Sequence, residues 1–218
     1  MRALCATLYP MRVTGRANLP AKGPYIVVAN HTNWLDPPVI EFALGVAIRF
    51  MAKEEAFDTP VLGGLMHAKG CFPVRRGEAD RRALQTCLRV LAAGLPLGFF
   101  PEGTRSRDGM MRRGHPGIGF LALRSRAPLV PIAVVGTHER QIFGPRRGRI
   151  EVRIGGRFLA ADLLPPGPRD EQALTDAIMT RVAALLPSQM RGFYGENGAT
   201  SPPTEAAQGS KEDPRRID

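Results

Sequence analysis

The stretch YIVVANHTNWLDPPV (residues 25–39) predicts the local structure on which the rest of the fold is built. Its apolar run, residues 25–29, is typical of a strand that is buried on both faces of a sheet. Asp36 and the two prolines after it are typical of a helix start, with the aspartate as N-cap and proline in the first turn. The polar residues between these elements predict a loop at the strand end, and that loop carries His31.

The same alternation of strand and helix patterns continues along the chain. Apolar or alternating runs predict strands at residues 25–29, 48–52, 97–100, 129–135 and 149–155. Apolar residues at helical spacing predict helices at residues 38–44, 78–93, 117–124 and 171–186. Strands that alternate with helices predict an α/β layered domain with a largely parallel central sheet flanked by helices.

The length and the composition predict one domain between two short terminal segments. A chain of 218 residues can bury one sizeable core. Residues 1–12 read as a short amphipathic segment, because apolar side chains recur at helical spacing up to Pro10. Residues 195–218 are rich in Gly, Pro, Ser and mixed charge, and such a tail is expected to be disordered. The domain itself is assigned to residues 13–194.

The charge of the chain limits the kinds of partner that it can have. Its formal net charge is +10, and 26 of its 30 basic residues are arginine. This balance favours a nucleic acid, a membrane surface or a phosphorylated ligand, although a general preference for arginine would explain much of it. No run of about 20 apolar residues and no secretory signal is present, so we expect a cytoplasmic protein without a membrane span.

His31 and Asp36 form the first candidate catalytic pair. A histidine that leaves a strand end and an aspartate at the next helix start can fold back within hydrogen-bond distance. The carboxylate would then fix the tautomer of the imidazole and leave the other ring nitrogen to accept a proton. A histidine bonded to loop backbone and an aspartate that only caps the helix are the purely structural alternatives.

A nucleophile of the protein itself is not apparent. The serines lack the glycine-flanked turn between strand and helix in which nucleophilic serines occur. Cys71 has no activating feature except nearby arginines, and three scattered cysteines predict neither a disulfide framework nor a zinc site. We therefore expect that the nucleophile is a hydroxyl of the substrate, which His31 deprotonates.

Three further stretches carry candidate binding residues. In LGFFPEGTRSRDG (residues 97–109) a buried strand ends at a glycine-bearing turn, where Thr104 and Arg105 can hold a phosphate or carboxylate. In GCFPVRRG (residues 70–77) two arginines follow a short strand, and their ordinary alternative is a solvated charge pair. APLVPIAVVG (residues 127–136) reads mostly as a core strand.

These motifs occur in an order that resembles the glycerolipid acyltransferase family. The order is His-x4-Asp, Gly-x-x-x-Val-Arg-Arg, Phe-Pro-Glu-Gly-Thr-Arg-Ser and Val-Pro-Ile-Ala, and it covers residues 24–136. The best-known members of the family are the 1-acylglycerol-3-phosphate acyltransferases. The resemblance implies transfer of an acyl group from acyl-CoA or acyl-acyl-carrier protein to a hydroxyl of a phosphate-bearing acceptor, with no further cofactor and no metal.

By position, the resemblance assigns roles to individual residues of the four motifs. His31 is the implied general base and Asp36 its orienting partner. The implied substrate-binding residues are Arg75, Arg76, Glu102, Gly103, Thr104, Arg105 and Pro131. The third motif, which holds four of these residues, is thought to bind the phosphate of the acceptor.

Other functions and a cellular location complete the expectations. The same chemistry on glycerol-3-phosphate, a lyso-ornithine lipid or a glycolipid is the nearest alternative. A catalytically silent relative and a basic nucleic-acid-binding module are more distant ones, and few aromatic residues accompany the dispersed basic residues as the latter would require. A lipid acceptor implies peripheral attachment to the inner face of the cell membrane, through residues 1–9 and nearby arginines.

Overall fold

The computed structural model describes residues 11–74, 81–138, 149–163 and 170–195. Within these ranges the chain forms seven strands and five α-helices, together with short 3-10 turns. The strands are β1 Met11–Thr14, β2 Ile26–Ala29, β3 Arg49–Lys53, β4 Phe72–Val74, β5 Leu97–Phe99, β6 Leu129–Val135 and β7 Ile150–Ile154. The helices are α1 Asp36–Leu44, α2 Pro60–Ala68, α3 Arg81–Ala92, α4 Gly117–Ser125 and α5 Glu171–Ala183.

The strands form one sheet in the order β1-β7-β6-β2-β5-β3-β4. Neighbouring strands are parallel except for β6 and β7, which are antiparallel, so the predicted largely parallel sheet is confirmed. The central strand β2 pairs Ile26 with Leu97 of β5 on one side and with Leu129 of β6 on the other. Because parallel strands end at the same edge of a sheet, the loops after β2, β5 and β6 meet there.

Helices cover both faces of the sheet, and this explains why β2 is apolar at every position. Ile26 and Val28 pack in one cluster with buried residues of α3, α4 and α5. Val27 and Ala29 point to the other face, where they pack with buried residues of α1. All four residues of β2 are buried, as expected for a strand with helices on both sides.

Several predicted elements differ from the observed ones at their ends. Asp36 is the first residue of α1 and Leu35 is its N-cap, so the predicted N-cap role of Asp36 is wrong. The helix predicted at residues 171–186 ends at Ala183. Met11 and Arg12, which we assigned to the N-terminal segment, are the first two residues of β1 and pair with β7.

Some predictions fall on parts of the chain that are not described, and some elements were not predicted. The amphipathic pattern of residues 1–9, the start of the helix predicted at 78–93 and the tail from residue 196 lie outside the described residues. Strand β1 and helix α2 had no prediction. Within the described ranges every helix is too short or too polar to cross a bilayer.

Candidate active site

The loop that carries His31 is fixed to the sheet at its first residue. Asn30 follows the last residue of β2, and its side-chain amide donates to the carbonyl of Val134 at 2.9 Å. The N–H of Val134 donates back to Oδ1 of Asn30 at 2.8 Å. Two hydrogen bonds to β6 therefore continue the pairing of β2 and β6 through a side chain, so the next residue, His31, leaves the sheet edge in a defined direction.

The predicted pair of His31 and Asp36 is in contact. Nδ1 of His31 lies 2.9 Å from Oδ2 of Asp36. Asp36 is fully buried and His31 is 8% exposed. Since a carboxylate only accepts hydrogen bonds, the proton of the neutral imidazole resides on Nδ1. Nε2 then carries the lone pair that can accept a proton from a substrate.

The carboxylate of Asp36 is held by three further donors. The main-chain N–H groups of Thr32 and Asn33 donate to Oδ2 at 2.7 and 2.8 Å. The hydroxyl of Thr137 donates to Oδ1 at 2.6 Å. These contacts turn the carboxylate toward the loop before it, and not toward the first turn of α1. Asp36 therefore organises the His31 loop, which is the physical reason that its expected capping role is not observed.

Two aromatic rings support the imidazole from one side. The ring of Phe100 stacks on that of His31 with a centroid distance of 4.1 Å and an interplanar angle of 19°. Phe50 stacks on Phe100 in turn, at 5.5 Å and 16°. A Cβ on Gly98 would collide with the ring of Phe50, so glycine in β5 makes room for this stack. The stacked rings restrict rotation of the imidazole.

The carboxyl group of Glu102 also holds the His31 loop, through a hydrogen bond to the main chain. Oε1 accepts the main-chain N–H of His31 at 2.8 Å, and Oε2 accepts the N–H of Arg112 at 2.9 Å. Glu102 is only 2% exposed. Burial is the main cause that raises the pKa of Glu102 to about 7, and the negative charge of Asp36 adds to it, while the two N–H donors oppose it. This geometry gives Glu102 a role in positioning His31, and contact with substrate stays a prediction for it.

The residues after Glu102 lie in the same loop beside the His31 loop. Gly103 has a φ of 66°, in the left-handed region that favours glycine, and its N–H donates to the carbonyl of Phe100 at 3.1 Å. Gly103 and Arg105 are exposed and Thr104 is half-buried. The N–H of Ser106 donates to the carbonyl of His31 at 2.8 Å, which joins the two loops. Phosphate binding by these residues remains a prediction.

Comparison with known proteins fixes the family of the chain. The profile of the family described as Acyltransferase matches residues 10–135, more than half of the 218 residues. The chain belongs to the Acyltransferase family. The resemblance inferred from the four motifs is therefore confirmed.

Several named proteins are similar to this chain in sequence. A 1-acyl-sn-glycerol-3-phosphate acyltransferase of Bacillus subtilis is 31% identical over 80% of this chain and 87% of its own. One from Chlamydomonas reinhardtii is 34% identical over 89% of this chain, which spans only 58% of that longer protein. A lyso-ornithine lipid O-acyltransferase of Pseudomonas aeruginosa is 34% identical over 60% of this chain and 50% of its own.

A solved structure has the same fold. The crystal structure of the 1-acyl-sn-glycerophosphate acyltransferase PlsC from Thermotoga maritima superposes with a TM-score of 0.66. The match covers 84% of this chain and 73% of that chain at 24% identity. This likeness confirms the predicted α/β architecture.

The residues of the second and fourth motifs are described less completely. Arg75 and Arg76 lie outside the described residues, directly after β4. Pro131 is buried in β6 opposite Val28 of β2, and its carbonyl accepts the N–H of Gly155 at 2.9 Å. It is part of the central sheet, on the strand next to β2, which the His31 loop follows. Its predicted place in a substrate pocket is not tested by this position.

The thiols of Cys71 and Cys87 and the buried hydroxyl of Ser106 are not activated as nucleophiles. Cys87 is fully buried on α3, and burial raises the pKa of its thiol to about 12. Burial also raises the pKa of Cys71, so neither thiol is a thiolate near neutral pH. The hydroxyl of Ser106 donates to Asp108 at 2.6 Å. In the described ranges no group of three or more His, Cys, Asp or Glu residues could hold a metal ion.

Thr137 and the aromatic stack were missed by the sequence analysis. The motif at residues 127–136 was interpreted as a core strand, and the residue directly after it was not considered. Thr137 is fully buried, although it follows the strand end where exposed loops usually begin. A hydroxyl at the carboxyl end of a predicted parallel strand was the available signal. It predicts a contact between Thr137 and the His31 loop only once β6 is known to be the neighbour of β2 in the sheet.

Proposed function

We propose that this protein is an O-acyltransferase that acylates the free hydroxyl of 1-acylglycerol-3-phosphate and so produces phosphatidic acid. The acyl donor is acyl-CoA or acyl-acyl-carrier protein. The observation that carries the proposal is the 2.9 Å contact between Nδ1 of His31 and the buried carboxylate of Asp36 in a member of the Acyltransferase family. The names of the relatives from Bacillus and Chlamydomonas support this acceptor.

The chemistry follows from the tautomer that Asp36 imposes on His31. Nε2 of His31 removes the proton of the acceptor hydroxyl as its oxygen attacks the thioester carbonyl carbon. A tetrahedral oxyanion forms, and its collapse breaks the carbon–sulfur bond. The thiolate leaves and takes the proton from Nε2, which restores neutral His31. Asp36 stabilises the transient imidazolium and stays ionised throughout.

The hydroxyl of the acceptor is the nucleophile, and no acyl-enzyme is formed. The raised pKa of Cys71 and of Cys87 leaves both thiols protonated. The hydroxyl of Ser106 is engaged with Asp108. A direct transfer in which the donor and acceptor occupy the site together is consistent with these environments, and it predicts sequential kinetics in place of ping-pong kinetics.

Several N–H groups near His31 already have acceptors within the protein and do not serve the oxyanion. Those of His31, Thr32 and Asn33 donate to the carboxylates of Glu102 and Asp36. The N–H groups of Thr104 and Arg105 are next along the loop of the third motif. We assign the oxyanion to this segment, where backbone donors are pre-oriented by the loop.

We assign the acceptor phosphate to arginine side chains of the second and third motifs. Arg105 is exposed in the loop that is bonded to the His31 loop. A guanidinium binds two phosphate oxygens through parallel N–H groups, which gives it an advantage over lysine in fixing the acceptor. Arg76 has the same role by resemblance to the second motif of the family, and we add its neighbour Arg75, although the family often has an acidic residue there.

The experiment that tests this function measures products directly. Purified protein is incubated with labelled palmitoyl-CoA, oleoyl-CoA or acyl-acyl-carrier protein and a panel of lysolipids, and the products are identified by mass spectrometry. We expect acylation of 1-acylglycerol-3-phosphate. His31→Ala should lower the rate by about 10²–10⁴-fold, because the general base is lost. His67→Ala, on the exposed part of α2, is the matched control and should keep the rate.

Two outcomes contradict the proposal. Wild-type protein that acylates none of the lysolipids would exclude the activity. A rate for His31→Ala within about twofold of wild type would exclude the mechanism, even if product forms.

A second acceptor has support from one relative. The lyso-ornithine lipid O-acyltransferase of Pseudomonas aeruginosa is 34% identical over its matched region. A lyso-ornithine lipid has no phosphate, so Arg105 would contribute less to its binding. Faster acylation of this lipid than of 1-acylglycerol-3-phosphate in the same panel would assign the acceptor.

The proposed acceptor also locates the enzyme. A lysophospholipid resides in the bilayer, so we place the protein in the cytoplasm, attached peripherally to the inner face of the cell membrane.

A further inference from the structure

The hydroxyl of Thr137 is buried against the catalytic carboxylate. Thr137 follows Gly136, whose φ of 84° turns the chain sharply at the end of β6. The residue is fully buried, and its Oγ1 lies 2.6 Å from Oδ1 of Asp36. The side-chain amide of Asn33 donates to the carbonyl of Thr137 at 2.8 Å. Thr137 is thus fixed both by its own strand and by the His31 loop.

The direction of these hydrogen bonds follows from the acceptor. An ionised carboxylate cannot donate, so the hydroxyl proton of Thr137 points to Asp36. Oγ1 of Thr32 lies 3.0 Å from Oγ1 of Thr137 and can donate to it in turn. The result is a directed series from Thr32 through Thr137 to Oδ1 of Asp36, while Oδ2 faces Nδ1 of His31. Donors in such a series strengthen one another in a buried site.

We propose that Thr137 is a positioning residue of the acyltransferase, which acts on His31 through Asp36. Rotation about the last side-chain bond of aspartate is soft, so the carboxylate needs contacts on both oxygens to hold one orientation. Oδ2 is held by the N–H groups of Thr32 and Asn33. The hydroxyl of Thr137 donates to Oδ1, and this contact keeps Oδ2 directed at the imidazole.

The positioning role of Thr137 rests on the proposed function. It predicts effects that a purely stabilising role of Thr137 would not have. A hydroxyl that only satisfied a buried carboxylate would affect the stability of the fold. A hydroxyl that orients Asp36 also determines which nitrogen of His31 carries the proton. It should therefore change the turnover rate and the tautomer of His31 while leaving substrate binding unchanged.

Thr137→Val is the first variant, because valine has the shape of threonine without the hydroxyl. The variant removes a hydrogen bond to a charged group, and we expect kcat to fall by about 10- to 100-fold as a result. The KM values of donor and acceptor should stay within about twofold of wild type, since Thr137 is fully buried and is proposed to act through Asp36. Thr137→Ser keeps the hydroxyl and should retain most of kcat.

Thr175→Val is the matched control. Thr175 is also fully buried, and its hydroxyl accepts the N–H of Gly119 in the packing of α4 on α5. Thr175→Val therefore also removes one buried hydroxyl, but at a position outside the site. We expect lower stability with kcat unchanged. Equal losses of kcat in Thr137→Val and Thr175→Val would show a general effect of destabilisation and overturn the proposal.

A spectroscopic measurement tests the role without reference to catalysis. In protein with ¹⁵N-labelled histidines, the NMR signals of His31 are identified as those that are missing from the spectrum of His31→Ala. Wild type should show the tautomer protonated at Nδ1, and Thr137→Val should show a mixture of tautomers. Thr137→Val with wild-type kcat and an unchanged tautomer overturns the proposal. A wild type without acyl transfer, combined with a tautomer change in Thr137→Val, would contradict the proposed function and leave the positioning role intact.

Two further variants keep the test decisive. In Asp36→Asn the route through the carboxylate is already broken, so adding Thr137→Val should lower kcat little further. A full multiplicative loss in the double variant would contradict the proposal. If Thr137→Val does not fold, Thr137→Cys is measured by the same methods, because its thiol is a weaker donor in the same place. We expect kcat between those of Thr137→Ser and a variant without a donor, and wild-type kcat with an unchanged tautomer would overturn the proposal.

Discussion

The main-chain N–H of His31 donates to Oε1 of Glu102 at 2.8 Å, across 71 residues of sequence. The carbonyl of His31 accepts the N–H of Ser106 at 2.8 Å. Both peptide groups of His31 are therefore bonded to the loop that follows β5. The first and third motifs form one structural unit, in which a buried carboxyl group holds the backbone of His31.

The first prediction concerns the pH dependence of stability at Glu102. Its pKa of about 7 in the folded protein is above the ordinary value of 4.5, so the folded state binds this proton more tightly than the unfolded state. The stabilisation is complete below pH 4.5 and is lost as pH rises toward 7. By linkage the loss is roughly 3 kcal/mol of unfolding free energy. Denaturant unfolding at pH 5 to 8 should show this fall in wild type.

Variants isolate the contribution of Glu102 from that of other groups. Glu102→Gln cannot ionise and should lose this part of the pH dependence, although its amide also costs stability at every pH. Glu151→Gln is the control, because Arg153 lowers the pKa of Glu151 and places its titration below the range measured. A slope between pH 5 and 8 that is the same in Glu102→Gln and wild type would contradict the assignment.

The second prediction concerns Asp36→Asn. An amide presents one accepting oxygen where the carboxylate accepts from His31, Thr32, Asn33 and Thr137. At least one buried donor loses its acceptor, at about 1–3 kcal/mol for each such group. The loss should exceed the ~1 kcal/mol expected if Asp36 only capped a helix. We expect kcat/KM to fall by about 10²-fold, somewhat less than for His31→Ala, because orientation is lost and the base remains.

The control for this change is the aspartate that does cap a helix. Asp170 accepts the N–H groups of Gln172 and Ala173 at the start of α5. Asparagine is as good an N-cap as aspartate, so Asp170→Asn should leave stability and activity near those of wild type. A stability loss in Asp36→Asn no larger than in Asp170→Asn would contradict the geometry described for Asp36.

The third prediction concerns the arginines of the second and third motifs. Arg105→Ala and Arg76→Ala should raise the KM of a phosphate-bearing acceptor far more than that of acyl-CoA. Lysine should rescue only in part, since its ammonium lacks the two parallel N–H groups of a guanidinium. Steady-state kinetics with each substrate varied in turn measures the two values. Arg89→Ala, on the exposed side of α3, is the control and should change neither. Equal effects on both KM values, or none, would make these arginines ordinary surface charges.

The fold was predictable where local pattern alone determines an element. Strand β6 has the predicted bounds, and β2 begins one residue later than predicted, because continuous apolar runs are typical of strands buried on both faces. Helix α2 was not predicted, since Gly63 and Gly64 interrupt a helical pattern and Val61 is 86% exposed. The edge strand β1 has only four residues, too few for a clear alternation.

The site was predictable where its contacts are local in sequence. His31 and Asp36 are five residues apart, and a loop between a strand and a helix brings such residues together. The contacts of Glu102 with His31 and of Thr137 with Asp36 depend on the order β6-β2-β5 in the sheet. That order comes from crossover connections and from packing between distant residues. No spacing within one motif encodes it.

The last prediction concerns membrane attachment through the N-terminal segment. The sequence pattern of residues 1–9, which lie outside the described residues, predicts one helical face with Met1, Leu4 and Leu8, and Arg2, Arg12 and Arg16 carry positive charge close by in the sequence. A segment this short buries little apolar area, so attachment should be weak and reversible. Each basic residue near an anionic surface adds about 1 kcal/mol, and salt screens this attraction. Co-sedimentation with anionic vesicles should therefore fall as salt rises, and fall again when residues 1–9 are removed.

Charge variants distinguish binding through the N-terminal segment and its neighbouring arginines from binding through the overall positive charge of the protein. Arg12 in β1 and Arg16 in the turn after it are both exposed. The double variant Arg12→Ala/Arg16→Ala should bind anionic vesicles less tightly than Arg89→Ala/Arg181→Ala, which loses two exposed charges from α3 and α5. Equal losses in the two variants would mean that net charge alone drives binding. Full binding after removal of residues 1–9 would show that these residues pack on the domain itself, and no binding at any salt would exclude peripheral attachment.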